Sequence, residues 1–196
     1  MKKVAILFVG AALACTSLVG ANLETLRKAP ELSFTIPGEG SKTLSEYHGK
    51  VVALEFIFTI CPHCQAASKV MGKLQQDYRS RGLQVIDVAV NPNADLLVEN
   101  FVKDFQVAFP VGWTSSAQMT TFMGFPPDRY VVPQLVLLDR NGYIHYQTPA
   151  TDDAKWDKLM KEDTIRQNIE QLLGSGSSAA AHSNSSRHLA TVKAGS

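Results

Sequence analysis

Two of the chain's three cysteines, Cys61 and Cys64, stand two residues apart in "CPHC". A pair at i and i+3 shares one face of a helix, so the two sulfurs can come within bonding distance. If the helix begins at this point, Cys61 sits where unpaired N–H groups and the helix dipole favour negative charge. Cys61 is then the expected thiolate nucleophile, and Cys64, one turn in and more buried, the resolving thiol of dithiol–disulfide exchange. Pro62 suits a first helical turn, where its missing N–H costs nothing. A structural staple fits poorly, because a bridge closing so short a loop restrains the unfolded chain little. A zinc site needs about four ligands. There is no second cysteine pair, and the His63 side chain should point away from the shared face.

The surrounding elements must place that pair. "VVALEFIF" (residues 51–58) is almost wholly apolar, as expected of a strand buried on both faces. Its one acid, Glu55, lies six residues before Cys61. Residues 64–79 carry Ala67, Val70, Met71, Leu74 and Tyr78 at helical spacing, with a stop at Gly82. "LQVIDVAV" is a second buried strand, so strand, helix and strand make a right-handed parallel unit.

A helix with Leu96, Leu97, Phe101 and Phe105 inward is expected next, then a short strand at "FPVGW" and a Ser-capped helix at "SSAQMTTFMGF". "PQLVLLDRNGYIHYQ" reads as a hairpin about Asn141-Gly142. One closing helix is expected to turn Trp156, Leu159, Met160, Ile165, Ile169 and Leu172 inward. Ahead of all these, "ELSFTI" is a short strand, "PGEG" a turn, and "KTLSEYHGK" a turn feeding the next strand. The order implies an α/β fold with a central mixed sheet and helices on both faces.

The ends differ in kind. "MKK", an apolar run of 11 residues and a small-residue stretch ending at Ala21 have the layout of a secretory signal peptide over residues 1–21. "AALAC" also loosely matches a lipobox, which would make Cys15 a lipid anchor. Residues 174–196, rich in Gly, Ala and Ser, cannot bury enough to order themselves and are expected to form a tail, in which His182 and His188 are solvated. The folded domain is expected over residues 22–173. With 19 basic and 18 acidic residues the chain offers no field for a polyanion, so nucleic acid is not expected as a partner.

Together these segments resemble the exported thioredoxin-fold proteins of the TlpA/ResA-like redoxin type. The opening "APELSFTIPGEGSKTLSEYHGKVVALEF", "CPHC" at the Cys-x-x-Cys position and "VVPQLVLLDRNGYIHYQ" carry the resemblance, over about residues 30–173. It implies a thioredoxin-like fold and thiol-disulfide exchange with cysteines of exported proteins. It also implies a membrane or periplasmic redox partner, a location in the periplasm or on the outer face of the cytoplasmic membrane, and no cofactor or metal.

Three residue roles follow from the resemblance. Pro133 matches the family's cis-proline, and the Val132 backbone would pair with the substrate chain like a strand. Glu55 matches a buried acid able to take the Cys64 proton through water. His63 completes a tetrapeptide that is identical in the oxidising DsbA-type proteins, where this histidine stabilises the thiolate.

Ile60 replaces the tryptophan that thioredoxins carry before the first cysteine, and there is no room for a DsbA-type helical insertion. A reductive frame and an oxidative tetrapeptide therefore leave the direction of electron flow open. Two alternatives share the fold. A peroxidase would need a Thr or Ser three residues before its cysteine and a Pro four before that; here Thr59 is two before Cys61 and that Pro is absent, with Arg129 a weak candidate to hold the peroxide. A copper chaperone of this type has a three-residue spacer between its cysteines. A binding module without catalysis would not need the pair at a helix start.

Overall fold

A computed structural model describes residues 26–174. The expected leader, Cys15 and the tail beyond residue 174 lie outside the described residues. The strands are β1 (Arg27–Lys28), β2 (Ser33–Ile36), β3 (Gly40–Thr43), β4 (Val51–Ile57), β5 (Leu83–Ala89), β6 (Val111–Trp113), β7 (Gln134–Leu138) and β8 (Tyr143–Gln147). The helices are α1 (Pro62–Tyr78), α2 (Ala94–Phe105), α3 (Ser116–Met123), α4 (Ala154–Leu159) and α5 over residues 162–174.

The strands form one eight-stranded sheet in the order β1-β8-β7-β4-β5-β6-β2-β3. β4 lies at its centre, parallel to β5 and antiparallel to β7, and all seven of its residues are buried. Alternate β4 residues feed two cores. Val51, Ala53 and Ile57 meet side chains of α1, α2 and α5, including Met71, Leu74, Val98, Phe101, Ile165 and Ile169. Val52, Leu54 and Phe56 meet Met119, Phe122 and Met123 of α3, with Phe34 and Leu44. The fold is thus α/β and thioredoxin-like, a mixed sheet covered by helices on both faces.

Local chemistry sets the junctions. α1 passes into a short 3-10 turn at Arg79–Arg81, and Gly82 takes φ 97°, a left-handed conformation that lets the chain enter β5. At Gly112 a side chain would meet Phe34 and the Thr35 carbonyl oxygen at 2.8 Å, so glycine permits β6 to pack against β2. Ser115 caps α3 through its side chain, which accepts from the Gln118 N–H.

Three expectations need correction. Leu96 does not face inward: it is 71% exposed on the first turn of α2, whose buried residues are Ala94, Val98 and Phe101. The closing helix is two helices, because the chain leaves α4 at Met160 and restarts at residue 162. The second start lets Ile165, Ile169 and Leu172 reach the core while α4 buries none of its residues. Finally, "KTLSEYHGK" is more than a turn. Gly40–Thr43 pairs with β2 as a hairpin, and Leu44–Tyr47 is a 3-10 turn closed by a Thr43–Glu46 capping box.

Candidate active site

β4 ends at Ile57, and Phe58 to Ile60 turn the chain into α1. This turn is pinned from two sides. Asn91, just past β5, accepts from the Thr59 backbone N–H at 2.9 Å and from its hydroxyl at 3.3 Å. Gln65 of α1 donates to the Thr59 carbonyl at 3.1 Å. The Cys61 N–H donates to the Phe58 carbonyl at 3.1 Å.

Cys61 is the N-cap of α1 with extended backbone angles, and its carbonyl accepts from the Gln65 N–H. Pro62 occupies the first helical turn. Cys61 is half-buried and Cys64 fully buried, and both thiols are free. The half-buried Cys61 therefore stands at the positive end of a 17-residue helix, with its neighbour one turn inside. Burial pushes the Cys64 thiol up strongly. The Phe58 N–H, donating to Cys64 Sγ at 3.4 Å, opposes that shift, whereas Cys61 and Glu55 add to it.

Glu55 points from β4 toward α1 and is 0% exposed. Directly opposite on β5 stands Asp87, also 0% exposed. Neither Glu55 carboxyl oxygen nor Asp87 Oδ1 has a hydrogen-bond partner among the described residues outside the Glu55–Asp87 pair itself. Asp87 Oδ2 accepts from the Ser68 hydroxyl at 2.6 Å. Burial first, then the facing Asp87 carboxylate, raises Glu55 well above the usual carboxylate range. Burial also raises Asp87, opposed by the Ser68 hydrogen bond. Two carboxylates cannot both ionise cheaply in so dry a setting, so the pair retains a proton.

The Val132–Pro133 peptide is cis. Pro133 follows the β4–β7 register, in which Gln134 pairs with Phe56, so this loop lies at the same sheet end as the cysteine turn. Four hydrogen bonds hold it. The Trp156 indole N–H donates to the Pro133 carbonyl at 3.1 Å, the Val131 N–H donates to the Ala150 carbonyl, and the buried Gln134 amide donates to the Val131 and Pro149 carbonyls. Trp156 is itself positioned by Asp153, whose side chain caps α4 and accepts from the Trp156 N–H.

The structure brings Cys61, Pro62, Cys64 and Glu55 together around the start of α1, with Val132 and Cys61 packed on the same core cluster. His63 is exposed on the first helical turn. Ile60, beside Cys61, is 71% exposed. Arg129 is exposed in the loop before Val132. Among the described residues no cluster of three or more His, Cys, Asp or Glu side chains is arranged to hold a metal ion, and no helix is long and apolar enough to cross a membrane.

Sequence reasoning passed over Asp87, Ser68, Asn91, Gln65 and the anchoring role of Trp156. Asp87 carried a usable signal. It is the one acid in an apolar strand, at the same offset from the start of β5 as Glu55 from the start of β4.

The redoxin family model matches residues 26–164. The thiol-disulfide oxidoreductase ResA of Geobacillus thermodenitrificans is 30% identical over 179 residues, covering 88% of this chain and 94% of that protein. ResA of Bacillus thuringiensis subsp. konkukian is 29% identical over 123 residues, or 62% of this chain and 68% of that protein. A crystal structure of a thioredoxin-family thiol:disulfide interchange protein from Chlorobium tepidum superposes with a TM-score of 0.61 at 19% identity, covering 76% of this chain and 97% of that one. A solution structure of a thiol:disulfide interchange protein from Bacteroides sp. gives a TM-score of 0.61 at 15% identity, covering 76% and 90%. These two likenesses are of fold.

Proposed function

The chain belongs to the redoxin family, as a ResA-like thiol-disulfide oxidoreductase, and from that premise we propose that it exchanges the Cys61/Cys64 dithiol with disulfides of exported proteins. The signal-like residues 1–21 support work outside the cytoplasm, with a membrane or periplasmic redox protein restoring the pair after each turnover.

One observation carries the mechanism: Cys61 is accessible at the N-cap of α1, while Cys64 is buried one turn deeper beside Glu55. In the reducing direction, Cys61 attacks a substrate disulfide and one substrate thiolate leaves. The helix N-terminus offers its partial positive charge to a sulfur that must carry negative charge. Cys64 then loses its proton to Glu55, which is ionised when the proton held by the carboxyl pair rests on Asp87, and attacks the Cys61 sulfur. The Cys61–Cys64 bond forms, the mixed disulfide breaks, and the second substrate thiolate departs and takes a proton from solvent. Two electrons pass from the protein dithiol to the substrate. The oxidising direction is the same path reversed.

The Val131–Pro133 loop, fixed by Trp156 and Gln134, offers backbone to an extended substrate segment next to Cys61. Pro62 and His63 follow the attacking sulfur on the first turn of α1, and His63 contributes to the redox poise. Turnover of a disulfide-bonded protein such as insulin tests the function. Wild type should sustain it with a recycling reductant, and Cys61→Ser should abolish it. Full turnover by Cys61→Ser would reject the mechanism.

A further inference from the structure

The end of the sheet that carries the cysteines also carries two apolar side chains that the exchange chemistry does not use. Among the described residues Ile60 and Leu96 are the most exposed large apolar side chains, each 71% exposed. The less exposed Leu26 and Tyr143 lie elsewhere, beside the β1–β8 edge, where the Lys28 ammonium sits over the Tyr143 ring. A single apolar side chain in water is ordinary. Two that are tied to each other beside a reactive cysteine are a surface.

The tie is local. β4 and β5 run parallel, so their ends at Ile57 and Ala89 emerge side by side. The Asn91 side chain, beyond β5, accepts from Thr59, the residue before Ile60. The chain then turns directly into α2: the Asn91 carbonyl accepts from the Ala94 N–H, and the Asn93 carbonyl from the Leu96 N–H. Leu96 therefore stands in the first turn of α2, on the face opposite the buried Ala94 and Val98. A helical side chain leans toward the N-terminus of its helix, which here is toward the cysteine turn. Exposed Pro92 lies on the path from one residue to the other.

The cis Val132–Pro133 peptide completes a line. β7 is antiparallel to β4, so the loop before it lies at this same sheet end, on the side of β4 away from β5. Across the sheet end the order is Val132, then Cys61 with Ile60, then Leu96. Adjacent strands are about 4.8 Å apart, and an extended chain advances about 3.4 Å per residue.

We propose that Ile60 and Leu96 make this end of the sheet selective for unfolded, extended segments that carry apolar side chains within about three residues of the reacting cysteine. Backbone pairing at Val132 holds such a segment whatever its sequence. The residue nearest the cysteine then lies over Ile60, and the residues beyond it over Leu96. Covering the two side chains takes apolar surface of both partners out of water. A folded protein keeps such flanking side chains in its own core, so the class selected is the unfolded chain. The inference rests on the exchange mechanism proposed above and names the substrate class for it.

The test measures kcat and KM of the full chain for disulfide-bonded peptides with leucine or serine at successive positions on either side of the cysteine, beside insulin as a reference substrate. Wild type should use the leucine peptides on the order of tenfold more efficiently, with the difference in KM. Leu96→Ser should bring the preference at the farther positions close to unity, and Leu96→Met should restore it, with the reduction potential as in wild type. Ile60→Ser should remove the preference nearest the cysteine. Neither side chain belongs to either core cluster, so these substitutions leave the packing intact. Equal use of leucine and serine peptides by the wild type would overturn the proposal. So would a preference that survives both serine variants, or a loss that Leu96→Met does not restore. Turnover of insulin without any preference among the peptides removes only the apolar selection. Turnover of neither insulin nor peptides means that the exchange function itself fails.

Discussion

Glu55 and Asp87 stand opposite each other on adjacent parallel strands, both fully buried, beneath the helix that carries the cysteines. Both carboxyls are raised by burial, so the folded protein binds more protons than the unfolded chain once pH passes the ordinary carboxyl range near 4. The contribution of these two groups to stability is therefore complete below about pH 4 and is lost as pH rises toward their folded values. Asp87→Asn should relieve this cost. We expect it to stabilise the protein by on the order of 1–3 kcal/mol at pH 8, with the gain vanishing at pH 4. Denaturant melts at the two pH values check this, and a gain of equal size at both would contradict it.

In the proposed mechanism Glu55 takes the Cys64 proton, and burial holds that thiol protonated at neutral pH. Glu55→Gln should slow resolution on the order of a hundredfold at pH 7 and leave the first attack by Cys61 unchanged. The gap should narrow as pH rises, because hydroxide then does the work of the base. Rapid-quench analysis of the mixed disulfide reads both steps.

His63 is exposed on the first turn of α1. Replacing it with proline removes a group able to carry positive charge near the attacking sulfur. The couple should become less oxidising by roughly 30 mV or more, a tenfold change in the exchange equilibrium. Equilibration against glutathione measures it, and an unchanged potential would remove His63 from the redox poise.

The Trp156 indole N–H holds the Pro133 carbonyl. Trp156→Phe should cost about 1 kcal/mol of stability and raise KM for a protein substrate several-fold, with the reduction potential unaltered. A raised KM together with a changed potential would mean that Trp156 acts on the cysteines rather than on the loop.

Much of this arrangement was legible in the chain itself. The buried runs at 51–58 and 83–90, the helix start at Cys61 and the Asn141-Gly142 hairpin follow from local patterns, and each appears where expected. Leu96 was misplaced because periodicity gives a helix an apolar face without saying where the sheet lies. The break at Met160 depends on how α5 docks, which no local signal encodes. The Glu55–Asp87 pairing is of the same kind. Each acid is visible in its own strand, but only the parallel register brings the two together.

The division of labour between the cysteines is tested most directly by mass analysis of the single variants after incubation with a disulfide peptide. Cys64→Ser should accumulate a stable peptide adduct on Cys61, and Cys61→Ser should accumulate none. An adduct forming on Cys64 in the Cys61→Ser protein at a similar rate would contradict the assignment of Cys61 as the nucleophile.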